Sequence, residues 1–472
     1  MDAQARPGLP IPAILRLGLF QACLGCLAVI FSGLLNRIML SELGFPGLLV
    51  GGALAFEQFV APSRVLFGQI SDAHPLGGRR RVPYVLLGAT AFCLLAVLSI
   101  PLTFHVARLF DAGIQPVLGL GIASLCGLYA LYGLAVSLST TPYLALVIDR
   151  TSEQERPRAV GIIWCMLTVG IVVGAIVISV SLRSLDGVRD PALLEPILLR
   201  FMIAVAAVVL TLTLLAVWGI EPASGRDPRP GMAASSADRE VQRDDSVTLS
   251  QAWALITSSR QVLVFFVFLV LFTLGIFLQD PVLESYGAQV FAMPIAATTQ
   301  LNAFWGMGTL LGLLLAGLWI VPRIGRLPTA RLGCQLIVAS LLALLLCGLL
   351  PSVPVLNLVL LLFGLAAGIA TNSALCLMLD LTLPQATGSF VGVWGLAQAL
   401  SRAIGKLAGG GLYDLGRALP LGEGAYPPFA LVLGVEALVA LAALLVLDNV
   451  NVRQFREDTD VGLRRIMAVE LE

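Results

Sequence analysis

Two similar stretches of this chain lie far apart: residues 144–164 read LALVIDRTSEQERPRAVGIIW, and residues 375–395 read LCLMLDLTLPQATGSFVGVWG. Four residue identities recur in and just after these stretches, all at one offset of 231: Asp149 with Asp380, Thr151 with Thr382, Gly161 with Gly392 and Gly174 with Gly405. Four matches in one register indicate an internal duplication. Each stretch joins the end of one apolar run to the start of the next, so the duplicated unit is built from apolar segments.

The composition identifies those segments. Of the 472 residues, 58% are hydrophobic and only 12% are charged, and the mean hydropathy is +0.93. The apolar residues form uncharged runs of about 20, which match the roughly 30 Å of hydrocarbon that a helix must cross. The 29 basic and 29 acidic residues balance, so no net charge favours a polyanionic partner. This excludes a soluble enzyme, a nucleic-acid-binding module and a disulfide scaffold, and it predicts a polytopic membrane protein.

Twelve membrane spans are predicted, in two groups of six around a polar linker. The spans, numbered in chain order, cover 13–35, 46–70, 83–105, 116–148, 158–181, 198–220, 261–283, 295–321, 329–350, 354–379, 389–413 and 426–448. The chain is therefore divided into an N-terminus (1–12), a first six-helix half (13–220), a linker (221–260), a second half (261–448) and a C-terminal tail (449–472). Two related six-helix halves are the arrangement of the major facilitator fold, an all-α membrane architecture.

The basic residues predict the orientation of the spans. Nineteen of them fall on the side of the linker, and five, Arg37 among them, fall in the opposite loops. The positive-inside rule therefore places both termini and the linker in the cytoplasm.

The turn between spans 2 and 3 carries a further motif. Gly68 and Asp72 are followed by two glycines and by Arg79, Arg80 and Arg81. This resembles the major facilitator signature of Gly-x-x-x-Asp, then glycine and basic residues, although the present turn is a few residues longer. We expect a cytoplasmic latch in which an aspartate pairs with an arginine; a merely solvated turn is the alternative. The candidates are Asp72, Arg79, Arg80, Arg81, Asp149, Arg156, Arg158 and Asp380.

Several segments resemble one family more closely. They are Asn36-Arg37 at the end of span 1, the run from Gln279 to Gly287 (QDPVLESYG), and Gly392-Val-Trp-Gly395 in span 11. Together they resemble the bacteriochlorophyll-delivery family, the PucC- and LhaA-type light-harvesting assembly proteins, over roughly residues 13 to 448. The resemblance implies a protein of the bacterial photosynthetic (intracytoplasmic or thylakoid) membrane that delivers (bacterio)chlorophyll to light-harvesting polypeptides or assists antenna assembly.

The same resemblance implies no catalysis, no tightly bound cofactor and (bacterio)chlorophyll as cargo. The implied partners are antenna polypeptides, the pigment or its late biosynthetic enzymes, and the lipid bilayer, with no nucleic acid. Two alternatives stay open: a scaffold for antenna polypeptides that carries no pigment, and a solute transporter of the same fold.

Charged residues inside the spans are candidate functional sites, because an unpaired charge in hydrocarbon costs several kcal/mol. Glu57 and Arg64 in span 2, with Arg402 and Lys406 in span 11, are expected to line a central cleft. Glu57 and Arg402 are expected to face each other at mid-bilayer; ion pairs that only fix packing are the alternative. An acidic motif of Gln279, Asp280 and Glu284 is expected at the outer end of span 7, with simple exposure at the rim as its alternative.

The pigment's magnesium would need a ligand, and histidine is scarce. The two histidines, His74 and His105, lie away from the membrane midplane. Four amides inside the spans are therefore candidate oxygen ligands for a pigment, with packing hydrogen bonds as the alternative: Gln58, Asn302, Asn372 and Gln398. Gly-x-x-x-Gly pairs, such as Gly170 with Gly174, are expected to pack helices within the chain.

Overall fold

The computed structural model describes residues 10–113, 115–151, 156–183, 190–221, 260–380, 387–420 and 424–450. Most of the expected N-terminus, linker and C-terminal tail lies outside these residues. The described chain makes twelve helical passes, and its one extended pairing is an isolated bridge between Leu76 and Arg79. The passes are Ile11–Glu42, Gly47–Phe59 with Ser63–Ala73, Val82–Ala112, Gln115–Arg150, Arg156–Ser181, Pro191–Val217, Arg260–Phe277, Ile295–Ile324, Arg326–Cys347, Val353–Asp380, Thr387–Ala418 and Tyr426–Leu447. They are spans 1 to 12 below.

Ten of these described passes are long and apolar enough to cross a membrane by themselves. Span 2 is broken into two helices by a turn at residues 60–62, where Pro62 cannot donate a backbone hydrogen bond to the helix. Span 11 is the other exception, since it carries Arg402 and Lys406 in its middle. These two spans therefore bring polar groups into the membrane.

Span 1 is longer than the sequence indicates. Its α-helix ends at Val29, and π-helical segments continue it through Ile30–Leu35 and Ile38–Glu42. Arg37 therefore lies inside the span and is 4% exposed, so its assignment to an outer loop is wrong. The helix can continue past Arg37 because its guanidinium finds Glu42 at 3.4 Å and two further partners in the second half of the chain.

Span 7 is shorter than expected. Its helix ends at Phe277, residues 278–282 form turns around Pro281, and a short helix, Leu283–Val290, leads to span 8. Gln279 and Asp280 therefore lie in a non-helical break, and Glu284 lies in the short helix rather than in span 7. Proline at position 281 explains the break, since it removes a backbone donor and clashes with the preceding turn.

The packing of the helices repeats the duplication seen in the sequence. In the first half, span 1 packs on spans 5 and 6, span 3 on spans 4 and 6, and span 2 on span 4. In the second half, span 7 packs on spans 11 and 12, span 9 on spans 10 and 12, and span 8 on span 10. Each of these five contacts of the first half has its equivalent six spans later, and the halves meet where span 2 packs on span 11 and span 5 on span 8.

The Gly-x-x-x-Gly pairs serve this internal packing, as expected. A Cβ atom on Gly170 of span 5 would lie 2.0 Å from the carbonyl oxygen of Ala22 in span 1. A Cβ atom on Gly308 of span 8 would lie 2.1 Å from the carbonyl oxygen of Leu361 in span 10. Only glycine permits such close backbone contact.

Candidate functional site

The two halves are joined on the side of the membrane away from the linker, which we call the far side. The carboxylate of Asp414, near the end of span 11, accepts hydrogen bonds from the backbone amides of Gly47 at 2.6 Å and Leu48 at 2.7 Å. These amides begin span 2, where a helix has unsatisfied N–H groups and a partial positive charge. Span 11 thereby caps span 2 across the interface.

Span 1 makes a second set of far-side contacts with the second half. The Asn36 amide donates to the Asp280 carbonyl at 3.0 Å. Arg37 donates to the Thr298 hydroxyl and, at 3.2 Å, to the Met293 carbonyl. The two sets of contacts hold the halves together at the same end of the molecule and close the far side.

Glu284 lies behind this contact. It is 2% exposed, and one carboxylate oxygen accepts a hydrogen bond from the amide of Asn302. The same oxygen would be 2.1 Å from a Cβ atom on Gly33, so glycine in the π-helical segment of span 1 makes room for it. Exposure at the rim, the alternative for the acidic motif, is thus wrong for Glu284 and for the buried Gln279. Both are enclosed because span 1 covers the break after span 7.

A charged cluster occupies the middle of the interface between spans 2 and 11. The Lys406 ammonium lies 3.4 Å from a carboxylate oxygen of Asp280 and donates to the Ser32 hydroxyl at 3.2 Å. Glu57 lies within range of the charges of Lys406, Arg64, Asp280 and Arg402. The structure thus brings all four expected cleft charges together and adds Asp280 from the acidic motif.

Glu57 and Arg402 form no direct ion pair in the described residues. The guanidinium of Arg402 instead lies over the ring of Phe277, 4.5 Å from its centroid. Asp280 neutralises Lys406, one helical turn from Arg402, because the break after span 7 brings its carboxylate to the cleft. Sequence reasoning placed Asp280 at the outer rim and missed this contact, since the break moves residues 278–282 out of the helical register.

A row of polar and aromatic side chains winds along span 11 over about three turns. Trp394, Gln398, Arg402 and Lys406 follow one another at intervals of four residues, the spacing that makes each side chain a neighbour of the next. An α-helix rises 1.5 Å per residue, so this row extends for about 18 Å along the span. A row of that length suits a large amphipathic ligand better than a small solute.

The four candidate magnesium ligands lie on four different spans and have different surroundings. Asn302 is engaged by Glu284, and Asn372 donates to the Leu313 carbonyl at 3.4 Å. Gln58 donates to the neighbouring Glu57 at 3.4 Å, whereas Gln398 has no hydrogen bond to any described residue. Among the described residues no group of three or more His, Cys, Asp or Glu side chains could hold a metal ion. These hydrogen bonds of Asn302, Asn372 and Gln58 are donated by the amide nitrogens, so they do not occupy the amide oxygens, which are the atoms that would bind magnesium.

A cluster of charges also joins spans 2, 3, 4 and 6 on the side of the linker. The Arg81 guanidinium bonds to Asp72, to Asp149 at 3.2 Å and to the Ser71 hydroxyl at 2.7 Å. The expected pairing of an aspartate with an arginine of this turn is therefore present. The side chains of Arg156, Arg158 and Asp380 lie outside the described residues, and those of Arg79 and Arg80 are exposed.

Glu221 completes this cluster and was not anticipated. Its carboxylate accepts hydrogen bonds from the backbone amides of Arg80, Arg81 and Val82, the shortest at 2.6 Å. It caps the start of span 3, where carboxylates are favoured. Its position directly after the apolar run of span 6 was the only signal in the sequence.

We predict that replacing Arg81 with glutamine lowers the stability of the protein modestly, by about 1 kcal/mol, because its carboxylate partners are largely exposed. Thermal unfolding in detergent measures the change, and Arg79→Gln, which removes an exposed arginine of the same turn, is the matched control. Salt screens exposed charges, so the difference between Arg81→Gln and the parent should shrink in 1 M salt. A difference that is unchanged by salt would contradict an electrostatic latch.

The known proteins that are similar in sequence to this chain indicate one family. The sequence profile of the PUCC protein family matches residues 34–455. Protein PucC of Rhodobacter capsulatus is 28% identical over 445 residues, which are 92% of this chain and 91% of that protein. A Rhodobacter capsulatus protein named bacteriochlorophyll synthase 44.5 kDa chain is 31% identical over 453 residues, 93% of this chain and 95% of that protein.

Solved structures share the fold. The crystal structure of a D-xylose-proton symporter superposes with a TM-score of 0.69 at 16% sequence identity, covering 92% of this chain and 97% of the symporter. At this level of identity the likeness concerns the fold alone. It confirms the expected all-α membrane architecture of two six-helix repeats, the major facilitator fold.

Proposed function

Since the chain belongs to the PUCC protein family, we propose that it delivers (bacterio)chlorophyll to light-harvesting polypeptides and supports antenna assembly in a photosynthetic membrane. The relatives' names support a role near bacteriochlorophyll metabolism, and the major facilitator fold supports a carrier rather than an enzyme. In this proposal both termini are cytoplasmic, the pigment is cargo rather than a resident cofactor, and the antenna polypeptides are the partners.

One observation of the structure carries the proposal: span 11, which carries the polar and aromatic row from Trp394 to Lys406, packs on span 2 where the two halves meet. A tetrapyrrole is a flat, mostly apolar ring about 10–15 Å across, and aromatic side chains bind such faces well. The row extends for a comparable length and supplies one amide, Gln398, without a hydrogen bond to a described residue. With histidine absent from these cleft-lining positions, oxygen would be the magnesium ligand, which suits transient delivery.

The proposal is tested by purifying the full chain in mild detergent from cells that make the pigment but no antenna polypeptides. We predict chlorophyll-type absorbance in a fixed, near-stoichiometric ratio to protein. A major facilitator sugar symporter, purified from the same cells, controls for pigment that merely dissolves in the micelle.

The alternatives predict different results. A scaffold without pigment would co-purify with antenna polypeptides and show no more pigment than the symporter control. A solute transporter would take up a soluble substrate in vesicles. Either result without bound pigment would contradict pigment delivery.

A further inference from the structure

One carboxyl group in the membrane interior has no partner in the part of the chain that the structure describes. Span 12 begins at Tyr426, so Glu436 lies about 15 Å along the helix from its far-side end. Glu436 is 0% exposed, and both of its carboxyl oxygens are buried without a hydrogen-bond partner. An unpaired carboxylate in such surroundings is costly, so the group is neutral and carries a proton.

The packing of span 12 places Glu436 beside the break after span 7. A Cβ atom on Gly275 of span 7 would lie 3.0 Å from the Cα atom of Ala440 in span 12. The two spans run in opposite directions, so one helical turn from this contact brings Glu436 level with Gln279. The backbone amides of Leu278 and Gln279 are accordingly near enough to act on the carboxyl group, although neither makes a hydrogen bond of good geometry.

The charged groups around Glu436 do not neutralise it. Span 12 packs on spans 7, 9 and 11 and on the short helix Leu283–Val290. The interior groups that these segments carry are Asp280 in the break, Arg402 and Lys406 in span 11, Glu284 in the short helix and the Cys334 thiol in span 9. Lys406 is paired with Asp280, and Arg402 contacts the Phe277 ring. Asp280 is near enough for its negative charge to disfavour a second negative charge on Glu436.

The break beside Glu436 also holds the two halves together. The Asp280 carbonyl accepts a hydrogen bond from Asn36 of span 1 at 3.0 Å. The Asp280 carboxylate pairs with Lys406 at 3.4 Å, and Lys406 donates to Ser32 of span 1 at 3.2 Å. A negative charge on Glu436 would repel Asp280 and draw water into the break, and both changes would loosen these contacts with span 1.

We propose that Glu436 is a proton-binding site whose proton is released when the two halves separate on the far side. In this step the O–H bond of the carboxylic acid breaks, the electron pair stays on the carboxylate, and the proton goes to water that enters the opening. The protonated form therefore favours the closed far side, and the ionised form favours the open one. This inference goes beyond the proposed function, because it concerns how the carrier cycle is driven and does not depend on the cargo.

The proton is detected by infrared spectroscopy of the full chain in nanodiscs of phosphatidylcholine. A protonated carboxyl group gives a C=O stretching band that is separate from the bands of carboxylates. We expect such a band at neutral pH that is absent in Glu436→Gln and shifted in Glu436→Asp, so that either variant assigns it even if the other does not fold. A spectrum unchanged in both variants would show that Glu436 is ionised and would overturn the inference.

Glu195→Gln is the matched control for these spectra. Glu195 pairs with Arg108 at 2.8 Å and is therefore ionised, so its replacement by the neutral amide removes a carboxylate and no proton. The band of the protonated carboxyl group should be the same in Glu195→Gln as in the parent.

The coupling to far-side opening is measured as a distance by double electron–electron resonance. Spin labels are attached through p-acetylphenylalanine in place of Asp111 and Leu350, which are exposed at the far-side ends of spans 3 and 9, so the native cysteines stay unlabelled. Release of one proton changes the ratio of open to closed molecules by up to about tenfold per pH unit. From about pH 5 to about pH 9, above the ordinary titration of a glutamate, we expect the longer distance to gain population in the parent and in Glu195→Gln. In Glu436→Gln the shorter distance should persist throughout.

The remaining outcomes separate Glu436 from other groups and from the cargo. Glu284 is a second buried glutamate near the break, and Glu284→Gln should keep the response of the parent because the carboxylate of Glu284 already accepts a hydrogen bond from Asn302. A pH response that survives in Glu436→Gln, or that is absent in the parent, would overturn the inference. Bound pigment in a parent without a pH response would overturn it too, while leaving the proposed function standing.

Discussion

Replacing Arg37 with methionine is expected to destabilise the protein by about 3–5 kcal/mol, because it removes one partner of a buried charge cluster and leaves the other uncompensated. The Arg37 side chain is 5% exposed and lies 3.4 Å from Glu42. It also donates to Thr298 and to the Met293 carbonyl, so it joins span 1 to the start of span 8. Methionine has a similar length but leaves all of these acceptors without a donor.

The measurement is thermal unfolding of the purified protein, with a fall of the midpoint by about 3–5 °C expected. Arg108→Met is the matched control, because Arg108 pairs with Glu195 at 2.8 Å but is 60% exposed. Exposed pairs contribute about 0–1 kcal/mol, so this control should change the midpoint little. Arg37→Met with Glu42→Gln should recover part of the loss, since it removes the unpaired carboxylate. Equal midpoints for Arg37→Met and Arg108→Met would show that burial of Arg37 adds no stability.

Sequence reasoning identified the architecture because the fold is set by features that repeat. Hydrophobic runs of bilayer length predicted twelve spans, and identities at one offset predicted two related halves. The described helices show the repeat as equivalent packing in both halves. Glycines in pairs four residues apart predicted internal packing, and the backbone contact at Gly170 is an example.

The errors arose where a contact between distant segments changes local structure. Arg37 follows an apolar run, which is the sequence pattern of an arginine at a membrane surface. Its partners Thr298 and Met293, however, lie more than 250 residues later in the chain. Glu284 was expected near the outer end of span 7, but the break after Phe277 turns it under span 1. A hydropathy profile evaluates each span separately. It therefore contains no information on which spans pack against each other.

The sequence predicted which charged residues lie in the cleft, but it did not predict which of them form ion pairs. Glu57, Arg64, Arg402 and Lys406 were identified by their cost in hydrocarbon, and the structure places them together. The pairing of Lys406 with Asp280, rather than of Arg402 with Glu57, depends on the break after span 7. Because Asp280 pairs with Lys406, the Arg402 guanidinium contacts the Phe277 ring instead.

The junction between spans 2 and 11 gives the second large effect, at Gly410. A Cβ atom there would lie 2.0 Å from the backbone oxygen of Gly47, and no rotamer change can relieve a clash with backbone. We predict that Gly410→Ala forces spans 2 and 11 apart, at a cost of about 1–3 kcal/mol, the range for overpacking a filled interior. The neighbouring Gly411→Ala is the matched control, because its Cβ atom would meet only the side chain of Leu48, at 3.4 Å.

Both substitutions give the same intrinsic gain in helix propensity, about 0.5–1 kcal/mol for alanine over glycine, so any difference between them reports on the contact across the interface. Separation of the spans would also break the hydrogen bonds from Gly47 and Leu48 to Asp414. We therefore expect faster amide hydrogen exchange at the start of span 2 in Gly410→Ala, with a lower unfolding midpoint, and neither change in Gly411→Ala. If exchange and midpoint are the same in the two variants, spans 2 and 11 are not in backbone contact and the far side is not closed by this junction. If they differ as expected, the close backbone contact of spans 2 and 11 at Gly410 is what holds Asp414 in place to cap span 2.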